Sequence, residues 1–230
     1  NNKISIFHIS KKKTFSFQLS TNDPTGKVVG GTPWIRWHQT FDVGHVPNDV
    51  VPNVFMAVSL DLRDDERGYM KKHISNDNSF SQFFRIHPRD KLDVGYRLSQ
   101  SGLAVAYGFN NITYQGPVIS NIVVSQDSSQ VNVTYSLVKS IELRNPAGFE
   151  VCCQGASVCS TNDQAWVSTL AQRSQADPLT ITLAGHDACK SKQLNGLRYL
   201  WRETPCLFKQ AAVYNGEDSD LPGPPYIKYF

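Results

Sequence analysis

Asn53-Val54-Phe55-Met56-Ala57-Val58-Ser59-Leu60 is nearly all apolar, lacks the alternation of a half-buried strand, and stops at Asp61. Such a run predicts a strand covered on both faces, as in parallel α/β sheets. Pro47 and Pro52 punctuate the approach to it. A polar stretch follows from Arg63 to Arg85, rich in charge, Asn and Ser, and ends at Ile86-His87-Pro88. A connection that long in a compact fold is either functional or mobile. Pro88 suits the first turn of a helix, where the absent N–H has no partner to lose. Val94, Leu98, Ser101 or Gly102, and Val105 then fall at i, i+4, i+7/8 and i+11, and Gly108 offers a stop. A helix is therefore predicted over about residues 88–106, giving a strand, loop, helix unit.

Sites in open α/β sheets lie beyond the carboxyl ends of the strands. Asp61 and Asp64 sit at that end of the apolar run, and His87 stands where the loop enters the helix. An imidazole beside a helix N-terminus feels the positive end of the dipole, which favours the neutral form a general base needs. A nearby carboxylate can hold its tautomer and stabilise the imidazolium. The bland alternative is a surface histidine before a proline. No Gly-x-Ser-x-Gly elbow and no Gly-Asp-Ser block occurs, so the residues supply half a triad and no serine nucleophile.

After Gly108 the pattern changes to short strands. Ile122-Val123-Val124 and Val131-Asn132-Val133-Thr134-Tyr135 flank a polar link and predict a hairpin or meander; Asn145-Pro146-Ala147-Gly148 is a turn signal between Ile141-Glu142-Leu143 and Phe149-Glu150-Val151. Leu179 to Leu183 and Leu197 to Trp201 alternate with period two. This spacing predicts a β-sandwich-like module from about residue 109. The Leu221-Pro222-Gly223-Pro224-Pro225 tail is predicted to lack regular structure. The expected division is residues 1–108, α/β, and residues 109–230, β-rich.

A net charge of +3, with one basic run at Lys11-Lys12-Lys13, argues against a nucleic-acid partner, and no apolar stretch is long enough for a membrane span. The chain begins Asn1-Asn2-Lys3, so its natural N-terminal part is expected to be missing. Asn111-Ile112-Thr113 and Asn132-Val133-Thr134 are glycosylation sequons and favour the secretory route. Cys152, Cys153, Cys159, Cys189 and Cys206 lack zinc-ligand spacing, so disulfides in a stapled C-terminal module are expected, with the pairing open. Neither metal nor cofactor is expected.

Trp34-Ile35-Arg36-Trp37-His38-Gln39-Thr40, Pro52-Asn53-Val54-Phe55-Met56-Ala57-Val58, Asp61-Leu62-Arg63-Asp64, Ile86-His87-Pro88-Arg89-Asp90-Lys91 and Tyr96-Arg97-Leu98 resemble consecutive blocks of the sialate O-acetylesterase family. Leu197-Arg198-Tyr199, Trp201, Pro205-Cys206 and Pro222-Gly223-Pro224-Pro225-Tyr226-Ile227 are similar too, so the resemblance runs from about Trp34 to Phe230. It implies a partial SGNH-like α/β hydrolase followed by the β-rich module, removal of O-acetyl esters from sialic acids or sialoglycoconjugates, and a lysosomal or extracellular location. His87 matches the histidine of the family's Ile-His-Pro block and becomes the catalytic base; the family's serine lies upstream and has no counterpart here. Two departures stand out. The loop through Met70 to Phe84 is longer than the family's, and Phe83, Phe84 and Arg85 stand where an acid commonly precedes the histidine, so Asp61 and Asp64 both remain candidates for the orienting acid. The family also carries a cysteine where Ala211 or Ala212 stands, which accounts for the odd cysteine count.

Arg36, His38 and Gln39 lie between tryptophans, where packing outweighs chemistry. His186, in Gly185-His186-Asp187, reads as a turn residue. The competing function is an inactive glycan-binding or structural remnant, in which the β module holds sugar without cleaving it.

Overall fold

A computed structural model of the chain describes residues 13–21, 25–64, 91–153, 159, 163–185, 189, 192–218 and 220–230. The expected apolar strand is β2 (Val54–Ala57), shorter than its run because the chain turns at Leu60 and Asp61. It pairs in parallel with β1 (Thr14–Phe17), with Phe15 opposite Phe55 and Phe17 opposite Ala57. This pair is what the described residues show of the expected parallel sheet.

The expected helix is α2 (Leu92–Val105); its proposed start at Pro88 lies outside the described residues. Its buried face is Arg97, Ser101 and Gly102, with Val94, Leu98 and Val105 only half-buried beside it. The cause is close approach to β2. A Cβ on Gly102 would stand 3.3 Å from the Phe55 ring, and the Ser101 hydroxyl donates to the Met56 carbonyl at 3.0 Å. A larger residue at either position would push the helix off the strand.

Helix α1 (Thr32–His38) has Pro33 in its first turn. Trp37 of this helix meets Trp201 edge-on at 5.9 Å and Tyr226 at 5.8 Å. Such edge-to-face pairs add about 0.5–1.5 kcal/mol each beyond their burial.

From residue 118 the chain is β-rich: β3 (Val118–Val124), β4 (Gln130–Ser136), β5 (Ile141–Leu143), β6 (Phe149–Cys153), β7 (Trp166–Thr169), β8 (Ala171–Arg173), β9 (Thr180–Ala184), β10 (Leu194–Tyr199), β11 (Val213–Asn215) and β12 (Tyr226–Tyr229). Two antiparallel four-stranded sheets form, ordered β3-β4-β9-β8 and β12-β10-β6-β7, with a β11-β5 pair beside them. The β3–β4 hairpin is as expected. The turn at Asn145–Gly148 instead separates strands that go to different sheets, because β5 pairs with β11 and β6 with β10. Val131, Val133, Ile181 and Leu183 of one sheet meet Phe149, Val151, Leu197 and Tyr199 of the other in one core, which makes the module a sandwich. Strand β10 is buried on both faces rather than alternating, since on its outer side the Arg198 guanidinium lies 4.7 Å from the centre of the Trp166 ring and a Cβ on Gly196 would stand 3.1 Å from the same ring. The proline-rich tail has no regular structure beyond a bridge from Pro222 to Tyr214.

The expected disulfides are Cys152–Cys159 and Cys153–Cys189, leaving Cys206 as a free thiol. Adjacent cysteines on a strand face opposite ways, so Cys152 and Cys153 bond on opposite sides of β6.

Candidate active site

Strands β1 and β2 run in the same direction, so their carboxyl ends share one edge. Leu60 and Asp61 follow β2 at that edge, and α2 returns from residue 92 to pack beside it. The connection between Asp64 and Lys91 therefore starts at the carboxyl end of β2 and finishes at the N-terminus of α2. His87 belongs to that connection and lies outside the described residues, as does His186.

Asp61 is fully buried. Its Oδ1 accepts from Arg97 Nη1 at 2.6 Å, and its Oδ2 accepts from Arg97 Nη2 at 2.9 Å and from the Tyr214 hydroxyl at 2.7 Å. Arg97 Nη1 also donates to the Val58 carbonyl at 2.7 Å. One carboxylate thus joins strand β2, helix α2 and strand β11. Burial pulls the Arg97 guanidinium down, but hydrogen bonding and the charge of Asp61 outweigh it and hold it above its ordinary value. Burial, then the Asp61 charge, push the Tyr214 hydroxyl far up, so it stays a donor. Asp64 is half-buried further along the same edge.

The first turn of α2 is tied down separately. Lys209 Nζ reaches Asp93 Oδ1 at 2.9 Å and Asp220 Oδ1 at 3.1 Å, while the Lys209 amide donates to the Asp61 carbonyl at 2.8 Å. The acid at the helix start suits the positive end of the dipole. A cavity of about 30 Å³ beside Arg97, lined also by His45, Met56, Tyr114 and Leu221, has room for a water or two. That is far below the few hundred Å³ of a small-molecule site. Among the described residues no cluster of His, Cys, Asp or Glu could hold a metal, and no helix is long and apolar enough to cross a membrane.

Arg36 and Gln39 are structural, as expected from their aromatic flanks. Arg36 donates to the Leu19, Ser20, Arg202 and Glu203 carbonyls at 2.6–2.7 Å, tying the start of the chain to the end of β10. Burial draws its guanidinium down to about 9, whereas four carbonyl dipoles favour the charged form. The Gln39 amide accepts from Leu19 N and donates to the Phe17 carbonyl, both at 3.1 Å, and so continues the ladder for one rung. His38 Nδ1 meets Asp42 Oδ1 at 2.6 Å on an exposed surface. Reading the sequence alone missed the partnership of Arg97 and Tyr214 with Asp61; the available signal was an arginine at 97 on the strand-facing side of an otherwise apolar helix pattern.

Residues 120–230 match the family described as sialate O-acetylesterase C-terminal domain. The chain is 38% identical to the sialate O-acetylesterase of Mus musculus over 197 residues, which cover 86% of this chain and 32% of the mouse protein. With the Homo sapiens sialate O-acetylesterase the identity is 35% over 212 residues, covering 92% of this chain and 36% of the human one. The chain thus spans about a third of the length of these relatives. With the resemblance extending well before residue 120 and through the sandwich, the chain belongs to the sialate O-acetylesterase family, corresponding to its C-terminal part.

Proposed function

We propose that the chain is the histidine-bearing part of a carboxylic ester hydrolase that removes O-acetyl groups from sialic acids. Residues 1–108 contribute to the α/β catalytic domain and residues 109–230 form the β-rich domain behind it. The observation that carries this reading is topological: the Asp64–Lys91 connection leaves the carboxyl end of a parallel strand and enters a helix start anchored by Asp93 and Lys209. A serine from polypeptide outside these 230 residues attacks the acetyl carbonyl, and His87 takes its proton and returns it to the departing sugar oxygen. Asp64 orients the imidazole. Asp61 holds α2 in place, since both its oxygens already accept hydrogen bonds from Arg97 and Tyr214. Two disulfides and two sequons on exposed asparagines support an oxidising, secretory location.

The test is co-expression of the chain with the part of the mouse relative that precedes the match, followed by assay of acetate release from O-acetylated sialic acid. His87→Ala is expected to lower the rate by on the order of 10⁴-fold or more. An unchanged rate would end the assignment.

The inactive glycan-binding alternative has one observation in its favour. An open cleft of about 660 Å³ is lined by Gln126, Asp127, Gln193 and the exposed Phe230 ring, polar groups beside an aromatic face. Retention of a sugar by the intact chain on a glycan array, lost in Phe230→Ala, with no acetate release in the co-expression assay, would favour it.

A further inference from the structure

Parallel sheets are almost always covered on both faces. Here the β1–β2 pair is not. Phe15 and Phe17, two residues apart and hence on one face, are 62% and 52% exposed. Their face is the one on which α2 packs, since Phe55, opposite Phe15 in the register, lies against Gly102. The helix covers Phe55 and leaves the two β1 rings beside it in the open. Among the described residues the outer edge of β1 is open at Phe15 as well. The Thr14 and Gln18 amides point to β2, so the Phe15 and Phe17 main-chain groups point away from it. Gln39 satisfies the Phe17 carbonyl, while those of Phe15 have no partner among the described residues.

We infer that the Phe15/Phe17 face and the open rung at Phe15 dock the polypeptide corresponding to the roughly two-thirds of the mouse relative outside the match. This rests on the proposed function, in which the same polypeptide brings the serine. The length of the relatives supplies the occupant: a strand and helix from that portion would extend the parallel sheet and bury both rings.

The tagged chain co-expressed with the preceding part of the mouse relative is expected to co-elute as a one-to-one complex, with slowed hydrogen exchange at the Phe15 amide. Phe15→Asp with Phe17→Asp should cut the recovered complex at least tenfold while leaving the thermal midpoint of the chain alone unchanged. Val123→Asp, on an exposed position of β3, should leave recovery as it was. Absence of a complex, a complex indifferent to the phenylalanine changes, equal loss with Val123→Asp, or dimerisation of the chain through this face would each overturn the inference. Acetate release is scored separately. A phenylalanine-dependent complex without hydrolysis sinks the esterase reading and keeps the interface; hydrolysis indifferent to the two phenylalanines does the reverse.

Discussion

The Tyr214 hydroxyl donates to Asp61 Oδ2 at 2.7 Å across 153 residues of chain, and Arg97 holds the same carboxylate from helix α2. Removing one partner of a buried ion pair leaves the other charge stranded, so Asp61→Asn is expected to cost about 3–5 kcal/mol. Tyr214→Phe removes a hydrogen bond to a charge and is expected to cost about 1.5–3 kcal/mol. Urea midpoints of the chain alone measure both. In the completed esterase Asp64→Asn should lower kcat at unchanged stability; the reverse pattern for the two acids would exchange their roles.

Arg36 makes four bonds to carbonyls contributed by residues 19–20 and 202–203. An ammonium group at the end of a lysine cannot reach all four from one point. Arg36→Lys should therefore lower stability by about 2–5 kcal/mol, as several buried carbonyls lose their donors. A urea midpoint within error of the parent would show that the charge alone suffices.

The two disulfides differ in the loop they close, 36 residues apart for Cys153–Cys189 and 7 for Cys152–Cys159. Chain entropy assigns about 4 kcal/mol to the longer and about 2 kcal/mol to the shorter. Paired serine replacements should reproduce that order in thermal unfolding. Burial, reinforced by the Asp61 charge, pushes the Cys206 thiol well above its ordinary value. Cys206 is half-buried, so it should react with iodoacetamide at pH 8 more slowly in the native chain than in the unfolded one, and equal labelling rates in the two would contradict the raised thiol.

Asn111 lies exposed in the connection after α2, and Asn132 is exposed on β4, where its side-chain oxygen accepts from the Thr182 hydroxyl at 2.9 Å. Expressed through the secretory pathway, the chain should lose one PNGase F-sensitive gel shift in Asn111→Gln and another in Asn132→Gln.

Strand β2 and helix α2 were legible because an unbroken apolar run and a 3.6-residue period are strong local signals. Strand β1 was not: Thr14-Phe15-Ser16-Phe17 is four residues long, and only its parallel partner makes it a strand. Helix α1 was hidden for a similar reason, since seven residues with tryptophans at 34 and 37 show no clear polar face. The sandwich strands were readable from their spacing, but which sheet each joined was not, as β5 and β6 show. Within the candidate site, the sequence singles out Asp61, Asp64 and His87 as candidates, and of these the described residues include the two acids. That Asp61 is committed to Arg97 and Tyr214 could not be read from the sequence, because those partners are brought to it by long-range folding rather than by any local pattern.

The central claim is that His87 activates a serine supplied by other polypeptide. The most direct measurement is the rate at which a fluorophosphonate labels the completed, co-expressed enzyme, compared between the parent and His87→Ala. The account predicts stoichiometric labelling of one serine in the parent and near-complete loss in the variant at equal amounts of complex. Equal labelling rates in the two would contradict it.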